Sequence, residues 1–105
     1  MDKLLEILKT VGIPFAYDHF AEGEAPEPPF ICYLLPNSDN FAADGKVYFK
    51  ANEVQIELYT DTKDLSVEQK VEAVLDEHGI FYDRSEVWIE SEKLYEVLYS
   101  FEMEA

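Results

Sequence analysis

Basic residues are scarce in this chain of 105 residues, and it has a single cysteine. Eight Lys and Arg residues accompany 23 Asp and Glu residues, so the formal net charge is −15. Such a charge repels nucleic-acid phosphates and anionic lipid head groups over most of the surface. The composition therefore disfavours direct nucleic-acid binding and membrane binding, and its plainest interpretation is a well-solvated surface.

The single cysteine, Cys32, rules out an internal disulfide and fits folding in a reducing, cytoplasmic compartment. It lies inside residues 30–35, the longest uninterrupted apolar run, where a thiol usually packs as a small hydrophobic side chain. That run is far shorter than the roughly 20 residues that a membrane-spanning helix needs. Residues 1–8 contain acids and no small-residue cleavage site, so they do not resemble a signal peptide.

Apolar and aromatic side chains are plentiful by contrast. They make up 48% and 14% of the residues, which favours a packed globule over disorder. A chain of this length can bury one core and has no room for a second. Residues 1–105 are therefore predicted to form a single domain.

Hydrophobic periodicity predicts two helices and about five strands. Apolar residues at three-and-four spacing indicate a helix over residues 2–12 and another from Ser66 to a C-cap at Gly79. Strands are predicted at residues 30–35, 46–61, 86–90 and 95–103, with a short extended piece at 15–17 and exposed segments at 22–29 and 37–45. The order α-β-β-β-α-β-β predicts an α+β fold with two helices on one face of an antiparallel sheet.

The clearest strand signal is the central stretch, residues 46–61. Apolar residues alternate with polar ones from Val54 to Leu58, which is typical of a half-buried strand. Before residues 51–53 the apolar residues fall on odd numbers, and after them on even numbers. This phase change predicts a tight hairpin turn or a β-bulge, and the tolerance of Asn52 for left-handed dihedral angles favours the hairpin.

The start of the second helix has the spacing of a capping box. Ser66 is followed three residues later by Gln69, so Ser66 is the predicted N-cap. Val71 and Leu75 fall on the apolar face of this helix, whereas Glu68 is expected to lie elsewhere.

Reactive side chains form no catalytic motif. His19 beside Asp18 is the strongest catalytic candidate, because a carboxylate can orient an imidazole as a general base. Neither Cys32 nor any serine lies in a nucleophile motif that would use this base, and there is no glycine-rich phosphate loop or His/Cys metal cluster. We therefore predict a protein that is not an enzyme and has no catalytic, cofactor-binding or metal-binding residues. A hydrolase using Asp18 and His19 is the weakest alternative.

Aromatic residues on the predicted strands need another explanation. Tyrosine and tryptophan are favoured at protein interfaces, because they bury a large area and keep a polar group. Trp88 is opposite in phase to Val87 and Ile89, which indicates that both faces of its strand meet apolar groups. Contact with further copies of the chain is favoured over cover by loops 20–29 and 36–45. The candidate interface residues are Phe41, Tyr48, Tyr59, Trp88, Tyr95 and Tyr99.

Five phrases of the sequence carry a family resemblance: IPFAYDHF at 13–20, PPFICY at 28–33, ADGKVY at 43–48, QIELYTD at 55–61 and IESEKLY at 89–95. Together they resemble a family of small proteins encoded in the structural gene clusters of tailed phages and prophages of Gram-positive bacteria. Proteins of that kind are head–tail joining or tail-terminator (tail-completion) proteins. The resemblance extends over nearly the whole chain.

The resemblance implies a small α+β sandwich that forms a hexameric ring and docks to tail-tube and head-connector proteins. It implies a place in the host bacterial cytoplasm during assembly and in the virion afterwards. Loops 21–29 and 36–45 are the expected docking surfaces, and carboxylates lining a ring would repel the phosphates of passing DNA. The alternative from another class is an acidic DNA mimic that inhibits a nucleic-acid-binding protein. That function needs carboxylates in rows, whereas the acids here are scattered along the chain.

Overall fold

The computed structural model describes the backbone of residues 2–36, 38–43 and 46–104, and the side chains of residues 3–36 and 52–103. Two helices and six strands follow one another along this described chain. They are α1 (Asp2–Val11), β1 (Phe15–Tyr17), β2 (Phe30–Leu34), β3 (Ser38–Ala43), β4 (Lys46–Thr60), α2 (Leu65–Glu77), β5 (Asp83–Ile89) and β6 (Leu94–Glu104).

The strands form one sheet with β4 at its centre. The hydrogen-bonded order is β1-β2-β4-β6-β5, and β3 pairs with the first part of β4. β1 runs parallel to β2, and the other pairs are antiparallel, so the predicted antiparallel sheet is corrected to a mixed one. The predicted α+β class and the two predicted helices are confirmed, and β3 is a strand in addition to the predicted ones.

The core lies between the sheet and the helices. Val54, Ile56 and Leu58 of β4 are at most 1% exposed, because alternate residues of a strand face the same side. Both helices pack against that side, so the prediction of helices on one sheet face is also confirmed. Helix α1 contributes Leu4, Ile7, Leu8 and Val11, helix α2 contributes Val71, Val74 and Leu75, and β6 contributes Val97, Tyr99, Phe101 and Met103.

The central stretch is one continuous strand, and the hairpin predicted at residues 51–53 is wrong. The register between β4 and β6 runs without a break from Ala51 to Thr60. Backbone hydrogen bonds to β6 hold these residues extended, and β6 lies far away in the sequence, where a local pattern cannot reveal it. A register shift does occur in the β3–β4 pair, where Phe41 pairs with residue 49 and Ala42 with residue 47.

Residues 38–43 form β3, so the prediction of a loop over 36–45 is corrected there. β3 runs antiparallel to β4 on the same side as β2. The polar residues Ser38, Asp39 and Asn40 hid the strand from a pattern-based prediction, because strand propensity depends strongly on the partner strand. Residues 37, 44 and 45 lie outside the described residues.

Helix α2 begins one residue before the predicted N-cap. Its N-cap is Asp64, whose Oδ1 accepts a hydrogen bond of 3.2 Å from the backbone N–H of Val67. Ser66 lies inside the helix and donates its hydroxyl hydrogen to the same Oδ1 at 2.8 Å. These hydrogen bonds, that from Ser66 foremost, lower the pKa of the Asp64 carboxyl. The predicted capping box from Ser66 to Gln69 is therefore wrong.

Replacing Asp64 with alanine should lower the melting temperature by a few degrees, because the N–H of Val67 loses its acceptor. Gln69→Ala should leave the melting temperature nearly unchanged, since the Gln69 side chain has no capping role. Thermal unfolding followed by circular dichroism measures both variants. A larger loss for Gln69→Ala than for Asp64→Ala would contradict this assignment of the cap.

Candidate protein-interaction surface

The side of the sheet away from the helices forms a surface that we call the open face. Directly paired residues of neighbouring strands share a face. Phe30, Tyr59 and Glu96 therefore form one row across β2, β4 and β6. The next row consists of Cys32, Glu57 and Leu98. All six alternate with residues that face the helices, so these rows define the open face.

Aromatic contacts cover the β2 end of the open face. The Phe30 ring stacks on Tyr59 with a centroid distance of 5.1 Å, and Phe20 meets Phe30 edge-on at 5.5 Å. The segment after β1 thus lies partly over this face, as the alternative of cover by loop 20–29 predicted. The second loop of that alternative, 36–45, is largely β3 instead.

A tyrosine hydroxyl joins two carboxyl groups at the middle of the open face. The Tyr59 hydroxyl lies 3.2 Å from Oε1 of Glu57 and 3.1 Å from Oε2 of Glu96. A hydroxyl has one hydrogen, so it can donate to only one of them at a time. Burial and the charge of Glu96 both raise the pKa of the Glu57 carboxyl. Within the described residues, one tyrosine hydrogen therefore serves two partly exposed carboxyl groups.

Cys32 is protected at the same face. It is 5% exposed, and burial, followed by the charges of Glu57 and Asp18, raises the pKa of its thiol to about 11. The thiol is protonated at neutral pH, and a protonated thiol is a poor nucleophile.

Strand β5 forms the exposed edge next to β6. It stands at the end of the strand order, and Val87 and Trp88 are 51% and 40% exposed. The Trp88 ring packs on Tyr95 of β6 at 4.7 Å and donates its Nε1 hydrogen to Glu90. Within the described residues of a single chain, apolar groups do not cover both faces of β5, so that prediction does not hold for the chain alone.

The remaining candidate interface residues divide into two groups. Tyr99 is fully buried, because it faces the helices from β6, and its hydroxyl donates to Oε2 of Glu72 at 2.7 Å. Its assignment as an interface residue is therefore corrected. The side chains of Phe41 and Tyr48 lie outside the described residues.

An ion cluster that sequence reasoning missed joins α2 to β5. Glu68 is buried, at 3% exposure, and bonds to Arg84 and to Lys63, the latter at 2.7 Å. Glu86 accepts from the same two cations, which lower the pKa of its carboxyl. The expectation that Glu68 lies away from the core is corrected, because these cations match its charge. The sequence contains one hint of this cluster. Lys63 and Arg84, two of the few cations, lie shortly before and shortly after α2.

The Asp18–His19 pair lies on the surface. Nδ1 of His19 is 2.9 Å from Oδ2 of Asp18, and their side chains are 77% and 53% exposed. Within the described ranges, no cluster of His, Cys, Asp and Glu side chains is arranged to hold a metal ion. The described helices are also too short or too polar to cross a membrane.

An open cleft of about 780 Å³ lies at the opposite end of β5 from Trp88. Its lining includes Lys3, His78 and Met103, and Phe81 at its rim is 98% exposed. Polar residues, among them Asp83 and Glu102, line much of this cleft.

No family model matches the chain, and the search of curated proteins gives no significant match.

Glu57→Gln should stabilise the fold at neutral pH. The raised pKa means that the folded chain holds this proton more tightly than the unfolded chain does. The contribution of Glu57 to stability is therefore present below the ordinary glutamate pKa and is lost as the pH rises through the folded-state pKa. The glutamine side chain does not ionise in this range. The gain in stability of the variant over the wild-type chain should therefore grow from about pH 5 to about pH 8.

Urea unfolding at the two pH values measures that difference, with Glu24→Gln in the exposed loop as the control. An advantage of the same size at both pH values would mean that Glu57 is not responsible.

Arg84→Met should destabilise the fold, because buried Glu68 then keeps Lys63 as its one cation. We expect a loss of about 1–3 kcal/mol in the free energy of unfolding, the range for a buried polar group that loses a partner. Lys93→Ala removes the exposed ion pair to Glu90 and should change stability little. Equal losses in the two variants by urea unfolding would argue against a special role for the buried cluster.

Proposed function

We propose that this chain is a structural subunit of a tailed-phage or prophage virion, of the head–tail joining or tail-terminator (tail-completion) type. It acts by self-association into a ring and by docking to tail-tube and head-connector proteins. The observation that carries the proposal is the exposed aromatic edge at β5. The virion context comes from the sequence resemblance and is part of the proposal.

The β5 edge supports self-association through its backbone and its side chains. The outer edge of a sheet presents backbone N–H and C=O groups that another strand can pair with. Here the edge strand has seven residues and carries Val87 and Trp88 at its surface. A second chain that pairs along β5 would bury both side chains and the contact between Trp88 and Tyr95.

The open face supports a second contact area. Phe30, Tyr59 and Leu98 are each only partly buried on it. Aromatic residues such as Phe30 and Tyr59 are enriched in protein interfaces, and tyrosine also keeps a polar group there. The sheet edge and the sheet face are thus two areas at which a subunit can contact other subunits, and each subunit of a ring contacts two neighbours.

The DNA-mimic alternative has less support. A mimic needs carboxylates displayed toward solvent in rows, whereas Glu68 and Glu86 form ion pairs with Arg84 and Lys63 of the same chain. Glu57 and Glu96 are partly buried around one tyrosine and do not form an exposed row.

Association should increase with salt, because subunits of charge −15 repel one another. The screening length falls to about 8 Å at physiological ionic strength, which removes most of this long-range repulsion. We expect a monomer at low salt and a larger particle at high salt by multi-angle light scattering, with rings in electron micrographs. A chain that remains monomeric at every salt and protein concentration would refute self-association.

Trp88→Ser should weaken the association at high salt at least tenfold, since it removes the aromatic group of the β5 edge. Phe81→Ser is the matched control, because Phe81 is equally apolar and 98% exposed but lies before β5 begins. Equal weakening by the two substitutions would show that general surface hydrophobicity, and not the β5 edge, drives association.

The virion context has a separate test. Deleting the gene from a phage that encodes this chain should leave heads and tails that do not join into complete particles, as seen by electron microscopy. Complete, infectious particles without the chain would refute the virion role.

A further inference from the structure

The centre of the open face is acidic. Glu57 and Glu96 share a single hydroxyl hydrogen from Tyr59, and the described part of this face carries no Lys or Arg. Elsewhere in the chain the pattern is different, because buried Glu68 has two cations. Among the described residues, the carboxyl pair on the open face thus has no cationic partner.

Such a donor is present on the opposite side of the molecule. Lys9 lies on the outer surface of α1, and the described residues give it no ion-pair partner, although Glu6 stands one turn before it. Leu5, four residues before Lys9, is half-buried and shares its helical stripe. The outer surface of α1 therefore offers an apolar group beside a free ammonium group.

The two helices differ in charge, and this difference selects α1. Helix α1 contains two lysines and two acids, so its formal charge is balanced. Helix α2 contains one lysine and four acids. The open face with its carboxyl pair would repel α2, whereas it has charges complementary to the Leu5–Lys9 stripe of α1.

We propose that α1 of a second copy of this chain packs on the open face, with Lys9 bonding to Glu57 and Glu96 and Leu5 lying against Tyr59. The inference rests on the proposed self-association and names one of its contacts. The two complementary surfaces lie on opposite layers of the same molecule, so each subunit would use one surface for each neighbour. A contact of this head-to-tail kind closes into a ring when the rotation between subunits allows it.

This contact can form between two negatively charged subunits because it acts over a short distance. At physiological salt the charges of two subunits interact mainly within about 8 Å. The ammonium group of Lys9 would lie in direct hydrogen-bonding contact with the carboxyl pair, well inside that distance. In this contact a helix of one subunit packs on the sheet of the next. It therefore also covers the sheet face that one chain leaves open.

Charge reversal tests the contact directly. Sedimentation velocity is run at a salt concentration at which the wild-type chain associates. Lys9→Glu alone, and the double variant Glu57→Lys/Glu96→Lys alone, should each associate at least tenfold more weakly. An equimolar mixture of the two should recover much of the association, because every contact between unlike chains again joins opposite charges. Recovery in the mixture also shows that neither variant lost association by misfolding.

Lys70→Glu is the control, because Lys70 is an exposed lysine on α2 and should not affect association. The proposal is overturned if the reversed variants associate like the wild-type chain, or if Lys70→Glu weakens association as much as Lys9→Glu does. It is also overturned if the mixture shows no recovery.

Two outcomes separate this inference from the proposed function. If Trp88→Ser abolishes association and charge reversal has no effect, self-association stands and the α1 contact fails. If the wild-type chain never associates, both fail. A proton could also satisfy the carboxyl pair; association that strengthens from about pH 7 to about pH 5 and is indifferent to Lys9→Glu would mean that protonation replaces the lysine and would overturn the proposal.

Discussion

The fold depends on one constraint, the two-residue repeat of β4. This strand pairs with β2, β3 and β6, so its side chains are presented alternately to the helices and to the open face. Val54, Ile56 and Leu58 close the core, and the residues between and after them, Gln55, Glu57 and Tyr59, form the middle of the candidate surface. A shift of register by one residue would exchange the two sets, which would bury carboxylates under the helices.

Among the described residues, some carboxylates form an ion pair with a cation and others do not. Lys63 and Arg84 neutralise the one glutamate that α2 buries, and so tie that helix to the edge strand β5. Lys3, Lys9 and Lys70 are exposed on the helices. Among the described residues, the carboxyl pair of the open face has only a tyrosine hydroxyl as its donor. The placement of a few cations therefore separates the buried ion cluster from the proposed contact surface.

Sequence reasoning succeeded where a signal is local and failed where the cause lies elsewhere in the chain. The helical stripe of α1 and the alternation in β4 and β6 follow from residues a few positions apart, and they gave the correct α+β class. The hairpin at residues 51–53 was wrong because pairing with β6 overrides the local phase change. Tyr99 was assigned to an interface because its residue type fits one, but only the sheet register shows that it faces the helices. Buried Glu68 could not be predicted, since its partner Arg84 comes from another element.

The central claim is that this chain functions through contacts at the β5 edge and the open face. Electron cryomicroscopy of the particles formed at high salt tests it most directly, because it locates both surfaces in one experiment. The account predicts a ring in which Trp88 and Tyr59 are both buried between neighbouring subunits. A ring whose contacts leave both side chains in solvent would contradict it.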